Sequence, residues 1–264
     1  MEEILGVFAE ERLLQIVELV NLRGKVTVAD LSEELAVSSV TIRRDLEKLE
    51  EKELLLRTHG GALSLQAAQM DDTAKEKSFF EKQESHPIEK EKIAQRAADL
   101  VEDGDAILLT PGTTSMLIAR KLTGKRNLTI VTNAVNIAMQ LADQDGWDVI
   151  LTGGKIREKS FALVGPLADQ TLSNIRVDKL FLGVDGIDFK AGLTTPNLLE
   201  SNVNRQMIEI AKQVYVVADS SKFGKVLFSR IASLDVAQMI ISDEFLSETN
   251  RRMVKEAGIP LLLA

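Results

Sequence analysis

Val37-Ser38-Ser39-Val40-Thr41-Ile42-Arg43-Arg44-Asp45-Leu46 is the stretch from which the rest of the chain can be read. A helix beginning after Ser38 is expected to turn Val40, Leu46 and Leu49 inward. It would leave Ser39, Thr41, Arg43, Arg44 and Lys48 facing outward over about three turns. Ser38 is a good N-cap, and the hydroxyls of Ser39 and Thr41 then stand beside free backbone N–H groups that can bind a phosphate oxygen. Arg43 and Arg44 offer a planar fork to a guanine edge or positive charge to phosphate, so the helix can both position and read. Double-stranded DNA is the partner these groups suit. The same ten residues would also describe an amphipathic helix with a solvated basic face, and the neighbouring sequence decides between the two.

Upstream, Thr27 to Leu35 reads as a short helix capped by Thr27, with Asp30 in capping-box position and Val28, Leu31 and Leu35 on one face. The link Ala36 to Ser38 then gives helix-turn-helix spacing. Ala9 to Leu22, apolar at Leu13, Ile16, Val17 and Val20, supplies a third helix for the core. Glu53 to Leu65, around Gly60-Gly61, is expected to form a two-stranded wing that sets Arg57 and His59 against the DNA backbone or minor groove.

On these residues the segment Glu11 to Leu63 resembles the winged helix-turn-helix of the DeoR family of bacterial repressors. That family's signature pairs V-S-x-x-T-I-R-R-D-L with an R-x-H-G-G-A wing, and both halves stand here as Val37–Leu46 and Arg57–Ala62. One departure is Lys52-Glu53, where the family usually has glycine. A non-glycine residue is strained there if the turn needs positive φ.

The 264 residues suit two domains, one small and one of ordinary α/β size. There is no cysteine, which excludes disulfides and cysteine-based metal or catalytic sites. No apolar run reaches the roughly 18 residues of a membrane span, and the Glu2-Glu3 start is unlike a signal peptide, so a cytoplasmic protein with no membrane contact is expected. The net charge of −8 argues against DNA in bulk, and even Met1 to Leu65 carries 13 acidic against 8 basic residues. Placement matters more than the sum, because positive charge is needed only on the face that meets phosphate. Weak nonspecific binding and a homo-oligomer, dimer or tetramer, reading a repeated site are the consequence.

Beyond the wing, residues 66–92 show no clear apolar period and read as a linker, helical in parts, in which His86-Pro87 should interrupt any helix, with Phe79-Phe80 expected to dock on the second domain or on a partner subunit. From Ile93, apolar runs at Ala106–Leu109, Leu128–Val131, Val149–Leu151, Leu180–Val184, Val214–Ala218, Met239–Ile241 and Ile259–Leu263 alternate with amphipathic stretches such as Thr114–Leu122 and Leu199–Ala211. That is the pattern of a mostly parallel, Rossmann-like sheet covered on both faces, whose ligands bind where strands end and helices begin. Thr110 to Ser115 leaves one strand and opens a helix with Gly112, Thr113 and Thr114 positioned for an anion. Asn133, Gly153-Gly154, Asp185 and the group Asp219 to Gly224, with Lys222, end four further strands. Taken singly, each is an N-cap, a tight turn or a solvated charge. Five polar strand ends on one rim point to a small, polar, anionic ligand.

The resemblance to the DeoR family continues through this half in G-T-T, V-T-N, G-G, G-x-D-G-I-D and A-D-x-S-K-F-G, in order. It implies a sensor of a phosphorylated sugar or related metabolite, with a fold like ribose-5-phosphate isomerase. It further implies that Gly112, Thr113 and Thr114 hold phosphate while Glu200, Asp219 and Lys222 line the sugar end. The expected organisation is therefore a DNA-binding domain over residues 1–65, a linker over 66–92 and an effector and oligomerisation domain over 93–264, forming a repressor of a sugar operon without metal or cofactor. The isomerase kinship raises an alternative, aldose–ketose proton transfer with Glu200 as base. Against it, the glycine- and lysine-rich loop is reduced to Lys190-Ala191-Gly192, and Thr110-Pro111 replaces the usual acidic residue before G-T-T. A protein-binding winged helix is a third possibility, which has no need of Arg43, Arg44 and Arg57.

Overall fold

The chain divides into two compact units, Met1–Lys75 and Glu76–Ala264. The computed structural model describes residues 2–52, 54–58, 60–64 and 76–264. The first unit runs α1 (Glu2–Arg23), β1 (Lys25–Thr27), α2 (Val28–Glu34), α3 (Ser39–Glu51), β2 (Leu56–Thr58) and β3 (Gly61–Leu63). Thr27 caps α2 and Asp30 reciprocates, so the expected capping box is present. Ile16, Val20, Leu31, Ile42, Leu46 and Leu49 meet in the core of this unit.

One expectation for this unit needs correction and another an addition. Val40 does not face inward; it is 56% exposed. The buried positions of α3 are Ile42, Asp45, Leu46 and Leu49, an i, i+3, i+4, i+7 stripe, and at 100° per residue Val40 lies roughly 200° from Ile42. The expected two-stranded wing is present, β2 pairing with β3 around Gly60-Gly61, and β1 joins it as an unexpected third strand in the order β1-β3-β2. β1 is only three residues long, too short to show an alternating pattern. Its pairing explains the glycine at 61, since a Cβ there would stand 1.9 Å from the Val26 carbonyl oxygen. At the family's usual glycine position, Lys52 takes φ −88° and ψ 6°, so no positive φ is demanded of it. Glu53 and His59 lie outside the described residues.

The second unit is a doubly wound α/β fold. Its elements are α4 (Phe79–Glu84), α5 (Pro87–Asp99), β4 (Ala106–Leu109), α6 (Thr113–Lys121), β5 (Thr129–Thr132), α7 (Val135–Leu141), β6 (Asp148–Leu151), β7 (Lys155–Ile156) and β8 (Leu163–Val164). There follow α8 (Pro166–Ser173), β9 (Val177–Gly183), β10 (Gly186–Asp188), β11 (Gly192–Thr195), α9 (Leu198–Ile210), β12 (Ala211–Val217), β13 (Ser229–Ala232), β14 (Met239–Ser242), α10 (Glu248–Glu256) and β15 (Leu261–Leu263). All seven expected strands form one sheet in the order β15-β14-β12-β9-β4-β5-β6, every pairing parallel. Side-chain alternation divides the core. Leu108, Val131, Leu180, Leu182, Val216 and Ile240 pack on one face, while Ile107, Leu109, Ile130, Phe181, Val217 and Ile241 pack on the other.

Because β4 sits beside β9 while β5 and β6 run off in the opposite direction from β12 and β14, the switch in strand order falls between β4 and β9. A crevice opens at such a point. The antiparallel trio β10-β11-β13 and the hairpin β7-β8 were not expected.

Residues 76–92 are not a linker. They belong to the second unit, where α4 and α5 lie, and α5 buries Lys90, Ile93, Ala94, Ala97 and Ala98. The helical stripe went unread because a lysine and three alanines carry little apolar signal. Phe79 does dock on this unit, with its ring 5.7 Å from that of Phe161. Pro87 opens α5 after His86, which takes a left-handed φ of 51°.

Candidate functional site

On α3, Ser38 caps the helix by accepting from the Thr41 amide at 3.2 Å, and the two hydroxyls are 2.9 Å apart. Those two hydroxyls thus serve the helix end. Ser39, Arg43, Arg44 and Lys48 are exposed, and among the described residues the two arginines and Lys48 have no side-chain hydrogen bond or ion pair. Val40 joins them on the outer face, an apolar group that the sequence reading had turned inward. Asp45 faces the other way and takes both nitrogens of the Arg12 fork, at 2.6 and 3.2 Å, fixing α3 to α1. Arg57 of the wing is drawn back toward α3, with loose ion pairs at 3.6 Å to Glu47 and 3.8 Å to Glu50.

In the second unit a cleft lies at the switch point, where ligands of open α/β sheets bind. Gly112, Thr113, Thr114, Asn133, Asp185, Glu200, Asp219 and Lys222 all line it. Gly153 and Gly154 do not. They follow β6 at the sheet edge, three strands from β9, and Gly154 packs where a Cβ would meet the Val164 carbonyl oxygen at 2.7 Å. Their role is to turn the chain into the β7-β8 hairpin.

The cleft floor is the start of α6. Gly112, at φ 145°, brings the chain in, and no side chain caps the helix, so its first amides remain available to an anion. Two buried atoms beside it, Ser115 Oγ and Asn133 Oδ1, have no hydrogen-bond partner among the described residues, as expected of groups placed for something that enters the cleft. Lys222 has no side-chain partner among the described residues and stands at the end of the short turn Ser220–Lys222, which Asp219 caps.

Sequence reading missed three contributors, two lysines and an arginine. Lys82 of α4 pairs with Asp185 at 2.6 Å, and Thr195 donates to the other carboxylate oxygen at 3.2 Å. Burial opposes both charges of the pair. Their mutual attraction outweighs it, with Lys222 adding to the field on Asp185, and holds the ammonium above and the carboxylate below its ordinary pKa. Lys90 of α5 is 3% exposed, and its ammonium donates to the Lys82 and Ser85 carbonyls. Burial pushes it down to about 8, with Asp219 opposing and Lys222 and Lys82 reinforcing the shift. Glu200, at the start of α9, has one oxygen engaged by Arg157 and Ser160. Lys82 is 103 residues from Asp185, and Arg157 and Ser160 are 43 and 40 from Glu200, so only folding brings these pairs together.

Comparison with known proteins bears on both regions. Residues 12–68 match the DeoR-like helix-turn-helix domain, and residues 85–244 match the DeoR C-terminal sensor domain. A Bacillus subtilis protein named as an uncharacterised HTH-type transcriptional regulator, YulB, is 39% identical over 95% of this chain and 97% of its own length. The lactose phosphotransferase system repressor of Staphylococcus epidermidis is 38% identical over 88% of this chain and 91% of its own. Among solved structures, ribose 5-phosphate isomerase A of Methanocaldococcus jannaschii covers 53% of this chain and 55% of its own, with 20% identity and a TM-score of 0.40.

Proposed function

The chain belongs to the DeoR family of transcriptional regulators, and from that premise we propose that it represses a sugar-metabolism operon under the control of a phosphorylated sugar. Residues 12–64 serve as the DNA-reading part, and the unit from Glu76 onward serves as the sensor. Arg43 and Arg44 reach base edges or phosphates, Ser39 and Lys48 bind the backbone, and Val40 is available to a thymine methyl. Ser38 and Thr41 act by shaping the helix start, and Arg57 and His59 support from the wing. A dimer or tetramer reading a repeated operator fits a surface whose charge is negative overall.

The observation that carries the effector reading is the uncapped start of α6 beside Lys222, facing Asp185, Glu200 and Asp219 across one cleft. Amides and a lysine suit the phosphate, carboxylates suit hydroxyl groups, and Asn133 Oδ1 can accept from one more. Gly112, Thr113 and Thr114 are the phosphate cradle in this reading. An effector controls the operon only if it binds one arrangement of the oligomer better than another.

The isomerase alternative is set aside. The relatives are regulators, and the carboxylate that would act as base already accepts from an arginine and a serine. The test is the melting temperature of the purified chain against a panel of sugar phosphates and their parent sugars. A ligand at about 100 times its dissociation constant adds about 2.7 kcal/mol of stability. A shift with one phosphate and none with its parent sugar is expected; no shift with any phosphate would end the sugar-phosphate reading.

A further inference from the structure

The connection from the DNA-reading unit enters the second unit at Glu76, and its first contacts there are with the turn between β7 and β8. The Glu76 carboxylate takes both terminal nitrogens of Arg157, at 2.8 and 2.7 Å. Lys159 Nζ donates to the Glu76 carbonyl at 2.9 Å, and the Phe79 amide donates to the Lys159 carbonyl at 2.6 Å. The rings of Phe79 and Phe80 meet Phe161 edge-on at 5.7 and 5.9 Å. The same turn also reaches the cleft. Arg157 Nη1 donates to Glu200 Oε1, the oxygen that Ser160 also holds, while Glu200 Oε2 accepts no hydrogen bond among the described residues.

One guanidinium nitrogen is therefore shared between the carboxylate that starts the sensor unit and a carboxylate that lines its cleft. All three side chains are only 13–15% exposed, so water does little to screen the arrangement.

We propose that Arg157 couples occupancy of the cleft to the anchoring of residues 76–84, the stretch through which the DNA-reading unit is attached. This rests on the cleft being the effector site. A ligand hydroxyl that donates to Glu200 draws off part of the charge competing for Nη1, and Arg157 then holds Glu76 more firmly. A ligand also meets Lys82, which reaches the cleft only while α4 is docked. Ligand contacts thus favour the anchored state, and by reciprocity anchoring favours the ligand. Arg157 is a positioning residue in this scheme, not a ligand contact.

Hydrogen exchange on the full chain and on Glu76→Gln, with and without each member of a panel comprising glucose 6-phosphate, fructose 6-phosphate, ribose 5-phosphate and galactose 6-phosphate, tests the coupling. Glu76 lines neither the cleft nor the exposed face of α3, so the variant still shows a ligand-induced rise in melting temperature, lowered only by the lost coupling and compared at saturating ligand. For the phosphate that raises it, amide exchange over residues 79–84 is expected to slow roughly tenfold in the natural chain and by less than about threefold in the variant. Protection at the start of α6 should be equal in both proteins. Equal slowing over 79–84 in the two proteins, or none in the natural chain despite a melting shift, overturns the coupling and leaves the effector site standing. No melting shift with any member removes the effector reading, and the coupling with it.

Discussion

Replacing Asp45 by alanine should destabilise the DNA-reading unit without touching its exposed face. The carboxylate accepts two charge-assisted hydrogen bonds from Arg12, at 2.6 and 3.2 Å, and its side chain is 4% exposed against 19% for the arginine. The bond to Asp45 raises the Arg12 pKa above its ordinary value against the opposing effect of burial. Breaking a fully buried pair costs about 3–5 kcal/mol, because the abandoned charge stays out of water. Arg12 is near enough to the surface to rehydrate in part, so about 2–3 kcal/mol is the better figure, near the worth of hydrogen bonds to charged groups. In a unit of this size 1 kcal/mol shifts the midpoint by about 4–8 °C, and the transition should fall by roughly 10–20 °C. Differential scanning calorimetry of the full chain reads it, with the sensor transition as internal reference. Arg12→Met in the Asp45→Ala background should cost little more, since the pair is already broken. A drop below about 3 °C, or additive losses in the double variant, would refute the clamp.

Three further outcomes follow from the same geometry. Gly61→Ala should disrupt the wing, because its Cβ would stand 1.9 Å from the Val26 carbonyl oxygen, whereas Gly60→Ala meets nothing within 4 Å; equal melting temperatures for the two variants would contradict the pairing of β1 with β3. Arg43→Ala should weaken binding to the operator by about 1–3 kcal/mol and relax sequence preference, while Lys48→Ala should weaken all sequences alike and reduce the salt slope by about one. Fluorescence anisotropy at several salt concentrations separates the two, and identical behaviour would remove Arg43 from base reading. Lys90 makes the sensor sensitive to pH. Its folded pKa, lowered from 10.5 to about 8, lies below the unfolded value, so the unfolded chain binds more protons between those limits and stability without ligand should rise across that interval. Affinity for a phosphate monoester, dianionic above about pH 6, should instead fall as the Lys90 charge is lost above pH 8. Calorimetric titration at pH 7 and 9.5 checks this, and Lys90→Met should flatten both trends.

Much of this architecture was legible in the chain. Each strand of the parallel sheet is a short continuous apolar run because both its faces are covered, and the runs of β4, β5, β9 and β12 end in polar residues that line the cleft. Thr110 to Thr114, Asn133, Asp185 and Asp219 could therefore be placed without coordinates. Gly153 and Gly154 obey the same rule and still miss the cleft, because strand order decides which ends converge and the chain does not display it. Lys82 meets Asp185 across 103 residues and Arg157 meets Glu76 across 81; no local pattern encodes such pairs. The helix of residues 87–99 was hidden for another reason. Its buried stripe is built on Lys90 and alanines, which a hydropathy period does not register.

That helix has a practical consequence for exchanging parts between related regulators. A graft cut at Ile93, where apolar patterning begins, would divide α5 and discard Phe79, Lys82 and Lys90, leaving the sensor with an incomplete wall and an exposed core. A graft cut between Ser64 and Glu76 keeps the wall with the chamber it encloses. Interchangeable reading heads should therefore be joined ahead of Glu76, so that the sensor carries its own doorway with it.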